Sequence, residues 1–341
     1  KAAEGKAVSD FGARRAHNMD AAVYGARASY IGGAAGTATV LAGQMFGIPV
    51  SGTMAHSWVM YYKDEYEAFK HYAENYPDNT VLLVDTYDTI KSGIPNAIRV
   101  AREVLEPMGK RLKGIRIDSG DLAYQSIKVR KMLDDAGLTD CKIIVSNSLD
   151  EHTISSLNMQ KARIDGYGVG ERLITGASSD YSEDSISLLG AVYKIAAVEE
   201  NGGFAPRIKV SGSVEKITNP GLKKVYRVYD QNGKAKADLI AKADETIDMS
   251  QEFRFVDPDM PWRNLKFTHC TVRPLQEKIF ENGKLVYKLP TLNEIRAYVK
   301  KQLDEEIWEE EQRFVNPHKH YMDMTPDYYD MKMSLLNDSR A

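Results

Sequence analysis

The chain has 341 residues, a net charge of −3 and 43% hydrophobic residues, the profile of a globular protein with one large α/β domain and one or two smaller ones. No basic block or zinc-type spacing points to nucleic acid, and no apolar run or leader pattern points to a membrane. Cys141 and Cys270 are the only cysteines, an isolated pair that suits a reducing compartment, so the expected location is cytoplasmic.

The chain begins at Lys1 in a polar stretch without an initiator methionine, and a further natural segment is expected ahead of it. Phe11-Gly12-Ala13-Arg14-Arg15 then pairs an aromatic ring with two guanidinium groups. Phe11 could stack on a planar ring while an arginine takes a carboxylate or phosphate in bidentate fashion. Next comes Phe46-Gly47-Ile48-Pro49-Val50, read as a strand, and after it Gly52-Thr53-Met54-Ala55-His56-Ser57-Trp58. A histidine among small residues at a strand's C-terminal end suggests chemistry at the mouth of an α/β domain, although a loop histidine capping the next helix would look the same.

Four short apolar runs follow, each ending in polar residues: Val81–Val84, Gly114–Ile117, Ile143–Val145 and Ile164–Tyr167. The first and third are continuous aliphatic runs, as in parallel strands buried on both faces. Amphipathic helices lie between them, one started by Pro95, one over Leu122–Ala136 closed by Gly137, and one over Glu151–Gln160. This βα repetition, without a GxGxxG after any strand, favours an irregular, TIM-like α/β barrel over a dinucleotide fold.

In barrels the C-terminal strand ends build the site, and here they carry His56, Asp85 with Asp88, Asp118 with Asp121, and Ser146-Asn147. Two such carboxylates could hold Mg²⁺ or orient an imidazole, while each aspartate singly could cap a helix. Gly166-Tyr167-Gly168-Val169-Gly170-Glu171 reads equally well as an anion-binding glycine loop or as a simple turn.

Near Ser187 the pattern changes to alternating segments, Arg207–Val210 and Lys224–Tyr229, with turns at Asn201-Gly202-Gly203 and Asn219-Pro220-Gly221. A long helix is expected from Thr291, with Thr291 and Glu294 spaced as a capping box. Its acidic run, Asp304–Glu306 and Glu309–Glu311, reads as a solvated face, and His318 with His320 lacks a third metal ligand. The expected division is an α/β barrel core carrying the site over 1–190, the β-rich end of the barrel with an accessory segment over 191–275 and a C-terminal helical segment over 276–341.

Taken in order, FGARRA (11–16), YIGGAAGTATVLAG (30–43), GTMAHSWVM (52–60), LLVDTYDT (82–89), IRIDSGDL (115–122), VSNSLDE (145–151), GYGVGERL (166–173) and VNPHKHYMDM (315–324) resemble the nicotinate phosphoribosyltransferase family, of the type II phosphoribosyltransferase fold. The resemblance runs nearly end to end. It implies transfer of a phosphoribosyl group from phosphoribosyl pyrophosphate to nicotinate in NAD biosynthesis, with Mg²⁺ and with ATP hydrolysis coupled through a phosphohistidine. On it, His56 matches the phosphohistidine, Asp85 the carboxylate beside it, and Asp118 the carboxylate near ribose and metal. Phe11 matches the ring-stacking aromatic, and Arg14, Thr53 and Arg116 match positions around the pyridine and ribose. Ser146, Asn147, Gly168, Gly170 and Glu171 match the phosphoribosyl-binding loops, with Glu171 departing from the small hydroxyl residue expected in some relatives. The resemblance also implies a homodimer whose partner completes the ring pocket.

The sister enzyme that uses nicotinamide has an aspartate at the position of Ala38, so the alanine favours a carboxylate substrate. A barrel that only binds sugar phosphates, with His56 as an ordinary acid–base, is the reading from a different class.

Overall fold

The computed structural model describes residues 1–177, 193–210, 217–248, 252–262 and 264–338, so the change of pattern placed near Ser187 lies outside the described residues. The chain divides into two compact units, Lys1–Leu189 with Leu292–Arg296, and Gly190–Thr291 with Ala297–Ala341.

The first unit is built on six parallel strands: β1 (Ala7–Asp10), β2 (Gly36–Thr37), β3 (Val81–Leu83), β4 (Gly114–Ile117), β5 (Lys142–Ser146) and β6 (Gly166–Val169). Their spatial order is β2-β1-β6-β5-β4-β3, so the last strand returns to the first and only the β2–β3 seam is unpaired among the described residues. This is a curled half-barrel with the cyclic order of an irregular barrel. Leu82, Leu83, Ile115, Ile117, Ile143 and Val145 are fully buried in its core. Helices cover the sheet: α1 (Met19–Ile31), α2 (Val40–Phe46), α3 (His56–Tyr61), α4 (Glu65–Asn75), α5 (Ile94–Val100), α6 (Leu122–Asp135), α7 (Glu151–Met159) and α8 (Glu171–Thr175).

Three local expectations change. Phe46 ends α2 rather than starting a strand, because Gly47 turns the backbone at φ +69° and leaves Val50 only a single parallel bridge to Thr37. The helix assigned to Pro95 starts earlier, in a π-helical turn over Thr89–Gly93 capped by the Asp88 carboxylate. That turn presses on the end of β3, where a Cβ on Gly93 would lie 1.8 Å from the Val84 carbonyl oxygen, so no other residue fits. The fourth apolar run also enters the sheet two residues late, as Gly166–Val169, since the Asp165 carboxylate accepts from Ile143 N at 2.9 Å and holds the approach.

The second unit contains the hairpin β7 (Ala197–Glu200) and β8 (Gly203–Pro206), then β9 (Lys223–Tyr229), β10 (Ala235–Lys242), β11 (Phe253–Val256), β12 (Asn264–Phe267), β13 (Thr271–Pro274) and the short pair β14 (Phe280–Glu281) and β15 (Lys284–Leu285). The helix α9 (Leu292–Lys301), whose first half belongs to the first unit, precedes β16 (Met322–Met324) and α10 (Pro326–Asp338), and β12-β11-β16-β10-β9-β13 form one sheet. The Arg207–Val210 strand is not formed: Gly203–Pro206 pairs with β7 instead, and residues 207–210 are irregular. Cys141 and Cys270 are both free and buried, and burial pushes the Cys141 thiol up to about 12. No described helix is long and apolar enough to cross a membrane.

The acidic run is not simply a solvated face. Glu306 accepts from the Tyr229 hydroxyl at 2.5 Å and from Arg273, while Glu311 bonds His320 at 2.9 Å. His320 lies between Glu311 and Asp238, and Asp238 also takes a bidentate Arg227 at 2.8 and 3.0 Å. Burial disfavours the Asp238 carboxylate, but His320 and Arg227 bring its pKa down to about 2. The Asp238 carboxylate in turn raises His320, against burial and with help from Glu311. A histidine raised on folding stabilises most below its unfolded pKa of about 6.5, and that contribution is lost as pH rises through the elevated folded value. Thermal denaturation between pH 6 and 9 should therefore show the second unit weakening with pH, and His320→Gln should flatten the slope. A variant with the wild-type slope would remove His320 from the account.

Candidate active site

The C-terminal ends of the six strands surround a cavity of about 460 Å³. Phe11, Arg14 and Arg15 reach it from beyond β1, Ala38 from beyond β2, and Thr53 to His56 from the segment entering α3. Arg116 and Asp118 come from β4 and its end, Ser146 to Leu149 from β5 and the turn after it, and Gly168, Gly170, Glu171 and Arg172 from β6 and the start of α8. Every residue that the resemblance assigns to the site lines this cavity except Asp85, and of the other strand-end carboxylates neither Asp88 nor Asp121 reaches it. Four arginines against two carboxylates, Asp118 and Glu171, give the wall a positive excess suited to a polyanionic ligand.

Arg116 organises the floor. Its Nε donates to Ser146 Oγ at 2.8 Å, its Nη1 to Thr53 Oγ1 at 2.8 Å, and its Nη2 lies 3.1 Å from Asp118 Oδ1. The guanidinium carbon also lies 5.3 Å from the centre of the Phe11 ring. Ser146 Oγ donates to Asp118 Oδ1 in turn. Burial opposes ionisation of Asp118, but Ser146, Arg116 and His56 outweigh it and hold its carboxyl below the usual range. By sign, a carboxylate depressed in this way stays charged near neutrality and is lost only as pH falls below about 4.

His56 is the first residue of α3 and half-exposed; its Nε2 stands 3.7 Å from Asp118 Oδ2 and its Nδ1 3.1 Å from Thr86 Oγ1. Asp85 does not touch the imidazole. Its Oδ2 accepts from the Asp118 amide at 2.9 Å and the Ser119 hydroxyl at 2.6 Å, so it holds the Asp118 loop from behind. Its Oδ1 is buried without a partner. Asp88 and Asp121 serve as caps, of the π-helical turn and of α6 respectively.

The glycines of the last motif divide. Gly168 lies inside β6, registered opposite Ser9 and Ser146, and a Cβ there would strike the Phe11 ring at 2.5 Å. Its missing side chain is what seats the aromatic. Gly170 lies beyond the strand and opens onto the cavity, and Glu171 pairs with Arg15 at 3.4 Å. Across from them, Asn147 and Ser148 both adopt positive φ (+96° and +50°), a strained backbone of the kind that collects at ligand clamps.

Two residues escaped the sequence reading. Thr86 was hidden beside the more conspicuous Asp85. Asp10, fully buried, ties the Phe11 turn by accepting from Gly12 N at 2.8 Å and Thr37 Oγ1 at 2.7 Å. Its signal was available, since it ends a strand just as Asp85 and Asp118 follow theirs.

The chain is similar to known proteins. The family model of the nicotinate phosphoribosyltransferase (NAPRTase) family matches residues 6–246, and that of the nicotinate phosphoribosyltransferase C-terminal domain matches 222–332. Nicotinate phosphoribosyltransferase of Bacillus subtilis (strain 168) is 48% identical over 335 residues, covering 97% of this chain and 66% of the relative. That of Dictyostelium discoideum is 34% identical over 387 residues, covering 98% and 64%. The chain thus spans just under two thirds of the length of these curated relatives. The crystal structure of human nicotinic acid phosphoribosyltransferase superposes with a TM-score of 0.79 at 26% identity, covering 100% of this chain and 72% of that one. With the half-barrel, the cavity at its strand ends and two family models that together run through most of its length, the chain belongs to the nicotinate phosphoribosyltransferase family.

Proposed function

We propose that the protein transfers the phosphoribosyl group of phosphoribosyl pyrophosphate to nicotinate, giving nicotinate mononucleotide and pyrophosphate for NAD biosynthesis, with ATP hydrolysed through a phosphohistidine at His56. The observation that carries the reading is that one positively lined cavity holds both a Phe11–Arg116 pair and a His56–Asp118 pair. Phe11 packs the pyridine ring, with Arg116 or Arg14 taking its carboxylate. As the ring nitrogen attacks the ribose carbon, the Asp118 carboxylate faces the positive charge that develops on the sugar, and the arginines neutralise the departing pyrophosphate. The Ser146–Ser148 turn and Gly170 accommodate the 5′-phosphate.

Among the described residues no three His, Cys, Asp or Glu side chains enclose a metal. Asp118 and the unpartnered Oδ1 of Asp85 are hard oxygen donors of the kind that would hold Mg²⁺. Bound there, Mg²⁺ would supply charge neutralisation to the leaving group.

Ala38 lines the cavity and offers no acceptor to a carboxamide, which supports nicotinate over nicotinamide. The test is synthesis of nicotinate mononucleotide with and without ATP. No product, or equal use of both pyridines, would overturn the proposal. The homodimer is supported by exposed apolar side chains on α1 and α2, among them Met19, Tyr24, Val40 and Met45. Sedimentation should give a dimer, and a fully active monomer would refute it.

A further inference from the structure

The imidazole of His56 has two nitrogens in different surroundings. Nδ1 is within hydrogen-bond distance of Thr86 Oγ1 at 3.1 Å, whereas Nε2 lies 3.7 Å from Asp118 Oδ2, beyond a hydrogen bond. Asp118 already has Ser146 and Arg116 on its other oxygen, and Asp85, the nearby carboxylate that could have oriented the ring, is engaged by the Asp118 amide and Ser119. Thr86 itself does not line the cavity; it stands behind the histidine in the segment leaving β3. Among the described residues the hydroxyl is the one short contact of the ring, and it fixes the form of the imidazole when it acts as the acceptor.

We propose that Thr86 is a positioning residue that accepts a hydrogen bond from His56 Nδ1–H, so that Nε2 carries the lone pair and is the atom that takes the phosphoryl group. This rests on the reading of His56 as the phosphoryl acceptor. In the step, the Nε2 lone pair forms a bond to the γ-phosphorus of the nucleoside triphosphate, the bond from that phosphorus to the bridging oxygen breaks, and the diphosphate leaves with the electron pair. The Nδ1 proton stays in place. The ring gains positive character as Nε2 is phosphorylated, which makes Nδ1–H a stronger donor and tightens its bond to Oγ1.

The experiment uses the whole chain labelled with ¹⁵N only at histidine, with the His56 ring signals identified by their loss in His56→Gln. In the neutral ring of the wild type Nδ1 should be protonated and Nε2 free. Thr86→Val keeps the shape but removes the hydroxyl, and should shift the ring toward the Nε2–H form; Thr86→Ser should restore it. Transfer of label from γ-labelled ATP should slow about tenfold to a hundredfold in Thr86→Val and recover in Thr86→Ser, with KM for phosphoribosyl pyrophosphate unchanged. A wild-type ring protonated on Nε2, or a Thr86→Val ring indistinguishable from wild type, overturns the proposal. If the wild type takes no label while the ring responds to Thr86→Val, Thr86 does position the histidine and it is the phosphoryl-acceptor reading that falls.

Discussion

His56→Ala is expected to abolish ATP hydrolysis and leave a slow, ATP-independent synthesis of nicotinate mononucleotide. Glycosyl transfer needs charge stabilisation at the sugar and the leaving group, the role the proposal gives to Asp118 and the arginines; it needs no imidazole nucleophile. Phosphoryl transfer to the enzyme does need one, and His56 is the nucleophilic nitrogen base on the cavity wall. Losing the imidazole acceptor outright should lower ATP turnover by at least about a thousandfold. The ring is 39% exposed and begins a helix rather than packing in the core, so the change should alter stability by less than about 1 kcal/mol. Label from γ-labelled ATP and product formation, followed in parallel, separate the two activities. Full ATP turnover in the variant would show that the phosphoryl group goes elsewhere.

The site was legible in the sequence where chemistry sits at the end of an obvious strand. Val81–Leu83 and Ile143–Val145 are aliphatic because these strands are buried in the half-barrel, and the polar residues after them were bound to meet at one rim. β1 and β2 were not legible in this way. Ala7–Asp10 has a weak pattern and β2 is two residues long, so they exist because β6 and the Asp10–Thr37 bond hold them in place. The same is true of the glycine motif, half of which looks like a loop and is a strand because β1 and β5 flank it. Asp85 and Asp118 are alike in sequence and differ only by tertiary placement, one behind the site and one on its wall. In the second unit, Glu306 and Glu311 are indistinguishable from their solvated neighbours until Arg273, Tyr229 and His320 are brought to them.

The geometry around Arg116 also decides how a charge-preserving change should behave. Arg116→Lys retains the positive charge but replaces a planar fork with a single ammonium on a flexible stem. The guanidinium reaches three acceptors on three segments at once, Ser146 Oγ, Thr53 Oγ1 and Asp118 Oδ1, and an ammonium on one stem cannot reproduce that spread. Its side chain is 16% exposed and that of Asp118 22%, so water cannot fully take over the lost contacts. Removing one partner of such a pair typically costs ~2–5 kcal/mol, which corresponds to a fall of roughly 30-fold to several thousandfold in kcat/KM for nicotinate. Lysine should therefore be nearly as damaging as alanine at position 116. Arg14 is exposed and makes no ion pair among the described residues, so Arg14→Lys should be mild, within about tenfold. The acid limb of the pH–rate profile should move up in both Arg116 variants, because Arg116 is one of the groups holding the Asp118 carboxyl down. Parallel measurement of kcat/KM for nicotinate and of that limb tests both parts, and a fully active Arg116→Lys enzyme would mean that charge alone, rather than the fork, is what the site requires.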